Sequence, residues 1–162
     1  MVELIVESIN MPKECNLIFG HSHFIKTAED LYSVLAESST GIKFGLAFCE
    51  ASGLRLVRSE GNDTELKKAA EQEALKIGAG HCFIIFLKEA FPINVLNALK
   101  NTSEVCRIFC ATANPVQVIL AKTNQGKAVL GIVDGQSPLS VETSENVIQR
   151  KELLQKFGYR PY

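Results

Sequence analysis

Histidine is scarce in this sequence, three residues in all, and two of them stand two apart in the run Gly20-His21-Ser22-His23-Phe24. Side chains of an extended chain repeat on one side every two residues, so His21 and His23 project together. Such a pair beside a flexible glycine supports four chemistries. The two are plain polar side chains at a strand end, or one of them is a general base. They form a metal site if His81, Glu50 or Asp134 supplies a third ligand. Or one is a nucleophile that accepts a phosphoryl group: Lys26 and a helix opening at Thr27 are close by, and a cation with unpaired N–H groups favours phosphate. The residues alone leave all four open.

Other polar groups offer a ligand fewer specific handles. Gly78-Ala79-Gly80-His81 reads as a helix C-cap and tight turn, or as a backbone that a ligand can approach closely. Asn94, Asn97 and Asn101 share one face of a short helix, opposite Ile93 and Leu96, as a solvated stripe or an amide-lined wall. Glu50 and Asp134 close two strand ends and are the carboxylates best suited to Mg²⁺, and Asn114 lies in a third such loop. Neither G-x-x-x-x-G-K-[ST] nor G-x-G-x-x-G occurs, so nucleotide chemistry here needs a different cradle. The five cysteines show no C-x-x-C spacing. They read as buried free thiols in apolar strands, with Cys49 the alternative nucleophile.

The elements that must position these groups follow from hydrophobic period and turn chemistry. Residues 2–8 and 15–20 read as strands. A helix with Thr27 as N-cap runs to about Thr40. In 42–49, Ile42, Phe44, Leu46 and Phe48 take one face, and Lys43, Gly45, Ala47 and Cys49 the other. The small face invites close approach by a helix, a subunit or a ligand. A turn at Glu50–Gly53 leads to a strand over 54–59, and a helix then ends at Gly78. The continuously apolar run Cys82–Leu87 suits a central strand covered on both faces. A short helix from Pro92 to Lys100 and strands at 105–111, 116–122 and 127–133 follow, and an amphipathic helix over 142–157 closes the chain. The order is ββαββαβαβββα: an α+β domain with a mixed β-sheet and helices packed over it.

Composition narrows the class. At 162 residues and 46% hydrophobic, one domain over 1–162 buries roughly 70% of its extended surface without disulfide staples. A net charge of −1 argues against nucleic acid as a partner. No run reaches the ~18–20 apolar residues of a membrane span, and the start lacks the basic region of a signal peptide. The expected location is the cytoplasm.

In the blocks GHSHFIKTAEDLY, GIKFGLAFCEASGLRLVRSEGND, IGAGHCFIIF, FPINVLNALKN, EVCRIFCATANPVQVI, KAVLGIVDGQSP and RKELLQKFGYRP, nearly the whole chain resembles the adenosine-specific kinases. The resemblance implies an α+β chain forming a homotrimer. It implies that adenosine, AMP, ADP and ATP are ligands, and that a histidine carries a stable phosphoryl group. His23-Phe24-Ile25-Lys26-Thr27 matches the family's His-Phe-Ile-Lys-Thr block, so His23 inherits that role with Lys26 beside it. His21 falls where relatives carry glutamine or another residue. Glu50, Asn94, Asn97, Asn114 and Asp134 are the expected ligand contacts, inferred from the loops and the amide stripe. The expected reaction is phosphotransfer through a phosphohistidine. The alternatives are a non-catalytic adenosine-nucleotide sensor and a metal-dependent hydrolase using His21 and His23.

Overall fold

The computed structural model describes residues 1–159, so Arg160 and Pro161 of the last matching block lie outside the described residues. The chain runs β1 (Glu3–Ser8), β2 (Asn16–Ser22), α1 (Thr27–Ser38), β3 (Lys43–Cys49), β4 (Val57–Gly61), α2 (Thr64–Ile77), β5 (Cys82–Lys88), α3 (Pro92–Lys100), β6 (Val105–Thr112), β7 (Val116–Lys122), β8 (Lys127–Asp134) and α4 (Ser144–Lys156). The α+β class and the order of elements agree with the pattern of the sequence. The strands divide between two sheets: five in the order β4-β3-β5-β2-β6 and three in the order β1-β7-β8. Their ladders are antiparallel. β1 and β2, neighbours in sequence, belong to different sheets. Among the described residues no helix is long and apolar enough to cross a membrane.

The five-stranded sheet is the middle layer. One face carries Ile18, Phe44, Leu46, Phe48, Phe83 and Ile85 against Leu31 and Leu35 of α1 and Val95 and Leu99 of α3. The other carries Leu17, Phe19, Ala47, Ile84 and Phe86 against Leu66, Ala70 and Ala74 of α2 and Val116, Val118 and Leu120 of the smaller sheet. β5 lies in the centre, and Cys82 through Leu87 are all buried. Both faces being covered, its sequence has no polar alternation to show.

The small face of β3 meets a helix. A Cβ built on Gly45 would lie 2.1 Å from the Lys67 nitrogen, so the backbone of α2 rests directly on the strand. That helix ends at Gly78 as its sequence predicts, and Asp63 caps its start. The Asp63 carboxylate accepts from the Glu65 and Leu66 N–H groups, and Gly78 ends it at φ 59° with its N–H on the Ala74 carbonyl. Helix α1 corrects the expected cap. Lys26 holds the N-cap position without a side-chain cap bond. The Thr27 hydroxyl instead bonds the Ser22 hydroxyl and the Phe24 carbonyl, which ties the helix start to the end of β2. Strand β4 begins at Val57, not at 54. Helix α3 buries Val95 and Leu99 and leaves Ile93 exposed.

Candidate functional site

Strand β2 ends at Ser22, and its register against β6 shifts between His21 and Ser22. The expected His21–His23 alternation therefore breaks at the strand end. His23 is exposed; its N–H donates to the Glu104 carbonyl at 3.1 Å, and its ring lies beside Phe24. The histidine that His21 meets is His81, with ring centroids 6.2 Å apart and an interplanar angle of 64°. His81 stacks in turn on Phe48 at 5.8 Å.

His81 is placed by its backbone. Its φ is 62°, its N–H donates to the Cys49 carbonyl at 2.7 Å, and its own carbonyl accepts from the Ser22 N–H at 2.9 Å. The residue thus bridges the ends of β2 and β3. Pairing does the rest, because His21 stands opposite Cys82 on β5 and Arg107 on β6. Burial, followed by His81 and Arg107, pushes the His21 pKa below the usual histidine value. At neutral pH its imidazole is uncharged and can offer a lone pair.

His21, Cys82 and Arg107 line a cavity of about 280 Å³ with Gly80, Phe109, Lys127 and Val129. Through Gly80 and Lys127 it adjoins a larger one of about 640 Å³, walled by Glu50, Arg55, Leu56 and Gly78. The Lys127 ammonium donates to the Lys76 carbonyl at 3.0 Å, which fixes that cation over the end of α2. One imidazole, His21, and two cations, Arg107 and Lys127, meet at the smaller end, where an anion is favoured.

The expected site residues divide among several places. Glu50 lies on the wall of the larger cavity with both oxygens engaged. One accepts from the Leu56 N–H at 2.8 Å, the other from Arg58 at 2.8 and 2.7 Å. The Leu56 bond and the Arg58 guanidinium hold its carboxyl below the ordinary glutamate value. Asp134 and Asn114 bond each other at 3.2 Å, with the Thr112 hydroxyl on the same carboxylate at 2.8 Å. They close the far end of β8, seven residues from Lys127 and so about 20 Å away. Glu50 and Asp134 do not converge, and among the described residues no three His, Cys, Asp or Glu side chains group to hold a metal. Asn94 accepts from the Phe91 N–H and so caps α3; Asn97 is exposed. Neither lines the two joined cavities. Cys49 borders the larger one, but burial pushes its thiol up to about 11, which leaves it protonated and unsuited to attack.

Near His23 the structure adds one residue that the sequence did not single out. Glu104 is 5% exposed, and its Oε2 has no hydrogen-bond partner among the described residues. Lys26 pairs with Asp30 at 3.0 Å and lies 3.9 Å from Glu104. A buried carboxylate in the turn just before β6 leaves no periodic trace. Arg107 and Lys127 are equally silent, because only strand pairing brings them to His21.

An α+β scaffold with a cleft of several hundred cubic ångströms, edged by an imidazole and cations, has the make-up of a small-molecule site. The family model for adenosine specific kinase matches residues 7–160, and the chain belongs to that family. Among solved structures it is similar to the PH1918 protein from Pyrococcus horikoshii OT3. The two are 45% identical, each is covered over 100% of its length, and the TM-score is 0.95. No curated protein matches the chain.

Proposed function

We propose that the protein transfers a phosphoryl group to adenosine through a phosphohistidine on His23, as a cytoplasmic homotrimer. Family membership supports the kinase class and adenosine and its nucleotides as ligands. The observation that carries the reading is the joined cleft. One end is large enough for a nucleoside, and the other gathers His21, Arg107 and Lys127 where phosphates would lie. His23 follows His21 by two residues, so their Cα atoms are no more than about 7 Å apart, although His23 itself does not line the cleft.

In the first step a ring nitrogen of neutral His23 attacks the terminal phosphorus of a donor phosphoanhydride. The N–P bond forms, the anhydride P–O bond breaks with its electron pair leaving on the remaining phosphate of the donor, and the ring's N–H proton passes to solvent water. In the second step a hydroxyl of adenosine takes the phosphoryl group, the P–N bond breaks, and the hydroxyl proton returns to the ring. Lys26, held beside the acceptor by Asp30 and Glu104, offsets charge on the group in flight. Glu50 and Asp134, the carboxylates best suited to Mg²⁺, lie apart, so a magnesium ion on the donor phosphates would meet at most one of them.

Incubation with terminally labelled ATP tests this. Label should appear on the wild type, survive alkali, be lost in acid, and be absent from His23→Ala. Transfer of that label to added adenosine completes the test. Label retained in His23→Ala but lost in His21→Ala overturns the assignment, as does acid-stable label.

A further inference from the structure

We propose that Gln125, on the turn between β7 and β8, reads the adenine ring by pairing its side-chain amide with N6 and N7 of the base. The proposal rests on the reading of the cleft above, in which adenosine occupies the larger cavity. It adds the residue that makes that cavity specific for one purine. Adenine is told from other purines by a donor at N6 standing beside an acceptor at N7. Its reader must present an acceptor and a donor side by side, and an amide holds both in one plane.

Few side chains on the wall of the larger cavity can do this. Glu50 has both oxygens engaged by Leu56 and Arg58. The Cys49 thiol is turned onto the Ala74 carbonyl at 3.4 Å. The Thr123 hydroxyl donates to the Gly126 carbonyl at 3.1 Å and accepts from the Gln125 and Gly126 N–H groups at 3.2 and 3.3 Å. Arg55 and Lys127 carry donors alone. Gln125 is the one amide side chain on that wall among the described residues. The fold uses its backbone N–H, and its amide bonds no described residue.

The turn holds this amide in a defined place. Residues 123–126 join Lys122 and Lys127, which stand opposite each other at the end of the β7-β8 ladder. The Thr123 N–H donates to the Gly126 carbonyl at 2.8 Å. With the three bonds of the Thr123 hydroxyl, this ties the turn around one side chain and leaves Gln125 exposed at its tip. Lys127, two residues on, lines both cavities. One short stretch thus supplies the base reader and a cation for the phosphate end. Chemistry selects the edge of the ring. On the N1 edge an amide can turn over and take the hypoxanthine of inosine equally well. Beside N7, inosine presents two acceptors, so the amide oxygen is left facing O6 without a donor.

Calorimetric titration of the full chain with adenosine, inosine and 7-deazaadenosine, which has C–H in place of N7, tests this. The wild type should bind adenosine most tightly. Gln125→Ala should weaken adenosine about ten-fold or more and bring the three ligands to similar affinity. Gln125→Glu keeps the length but sets an acceptor against N7, so it should prefer 7-deazaadenosine to adenosine. The backbone bonds of the turn survive both changes, and the Tm should stay at the wild-type value. An adenosine preference that persists in Gln125→Ala overturns the inference, as does an equal loss for all three ligands. A wild type that binds the three equally also overturns it. In each of these cases the cleft still holds a nucleoside. A wild type that binds none of them overturns the cleft reading and this inference together.

Discussion

The imidazole of His21 lies edge-on to that of His81 at 6.2 Å, and His81 itself rests on Phe48. Sixty residues of chain separate the two histidines. They meet because the positive φ of His81 turns it back between β2 and β3. Arg107, in register across β6, makes the pair a poor place for added positive charge.

The pH dependence of stability follows from that arrangement. The folded His21 pKa is below its usual 6.5, through burial first and then His81 and Arg107. The unfolded chain therefore binds this proton at higher pH than the folded one. The stability concerned is complete above about pH 6.5 and is lost as pH falls toward the folded pKa. Between about pH 7 and pH 5 the wild-type Tm should drop more steeply than that of His21→Gln. Parallel Tm curves for the two proteins would contradict this.

Arg107 has no acidic partner among the described residues. If it serves the phosphate end of the cleft, Arg107→Ala should weaken AMP binding about ten-fold, as expected for a lost charge-assisted hydrogen bond. Adenosine, which lacks the phosphate, should bind nearly as before. Calorimetric titration of both ligands decides the point; equal losses would place Arg107 elsewhere in recognition.

Gly45 is the tightest seam in the fold. An alanine there would place its Cβ 2.1 Å from the Lys67 nitrogen and 2.2 Å from the Leu66 carbonyl carbon. Backbone cannot rotate aside as a side chain can, so α2 must lift from the sheet. Gly45→Ala should destabilise by about 2 kcal/mol or more, read as a lowered urea midpoint. Gly126 is the control: a Cβ there would meet nothing within 4 Å, and Gly126→Ala should change little.

Glu50 holds the loop between β3 and β4 through Leu56 and Arg58. These bonds keep its carboxyl below the usual value, so the stability it supplies is present at neutral pH. That stability is lost as pH falls through the folded pKa. Glu50→Gln should lower the Tm at pH 7, and the gap to wild type should close in strong acid. A gap that persists there would show that the loop depends on shape and not on this charge.

Much of the architecture was legible because the elements are locally consistent. Asp63 and Gly78 bracket α2 as sequence rules require, and the small face of 43–49 announced a close neighbour. Which strands pair was not legible. β1 takes β7 as its partner, more than a hundred residues away, and no local pattern records that choice. The candidate site suffered for the same reason. Two residues at strand spacing suggested His21 with His23, but the strand stops between them, and His21 faces His81 through a turn at a non-glycine residue. The asparagine stripe had a plainer use, with Asn94 capping α3 and Asn101 ending it. Arg107, Lys127 and Glu104 come to the site only through tertiary pairing.

The central position of β5 constrains how the chain is made. β2 pairs only with β5 and β6, and β3 has β5 on its second edge. During synthesis the first two strands therefore emerge with no ladder partner available, and β3 has only its hairpin with β4. Until residue 88 has left the ribosome, Leu17, Phe19, Phe44 and Phe48 sit on unsatisfied strand edges, the condition under which nascent chains aggregate. The centre of the five-stranded sheet waits on β5, its edge on β6, and β1 waits longer still for β7, so the two sheets close in turn as the chain emerges.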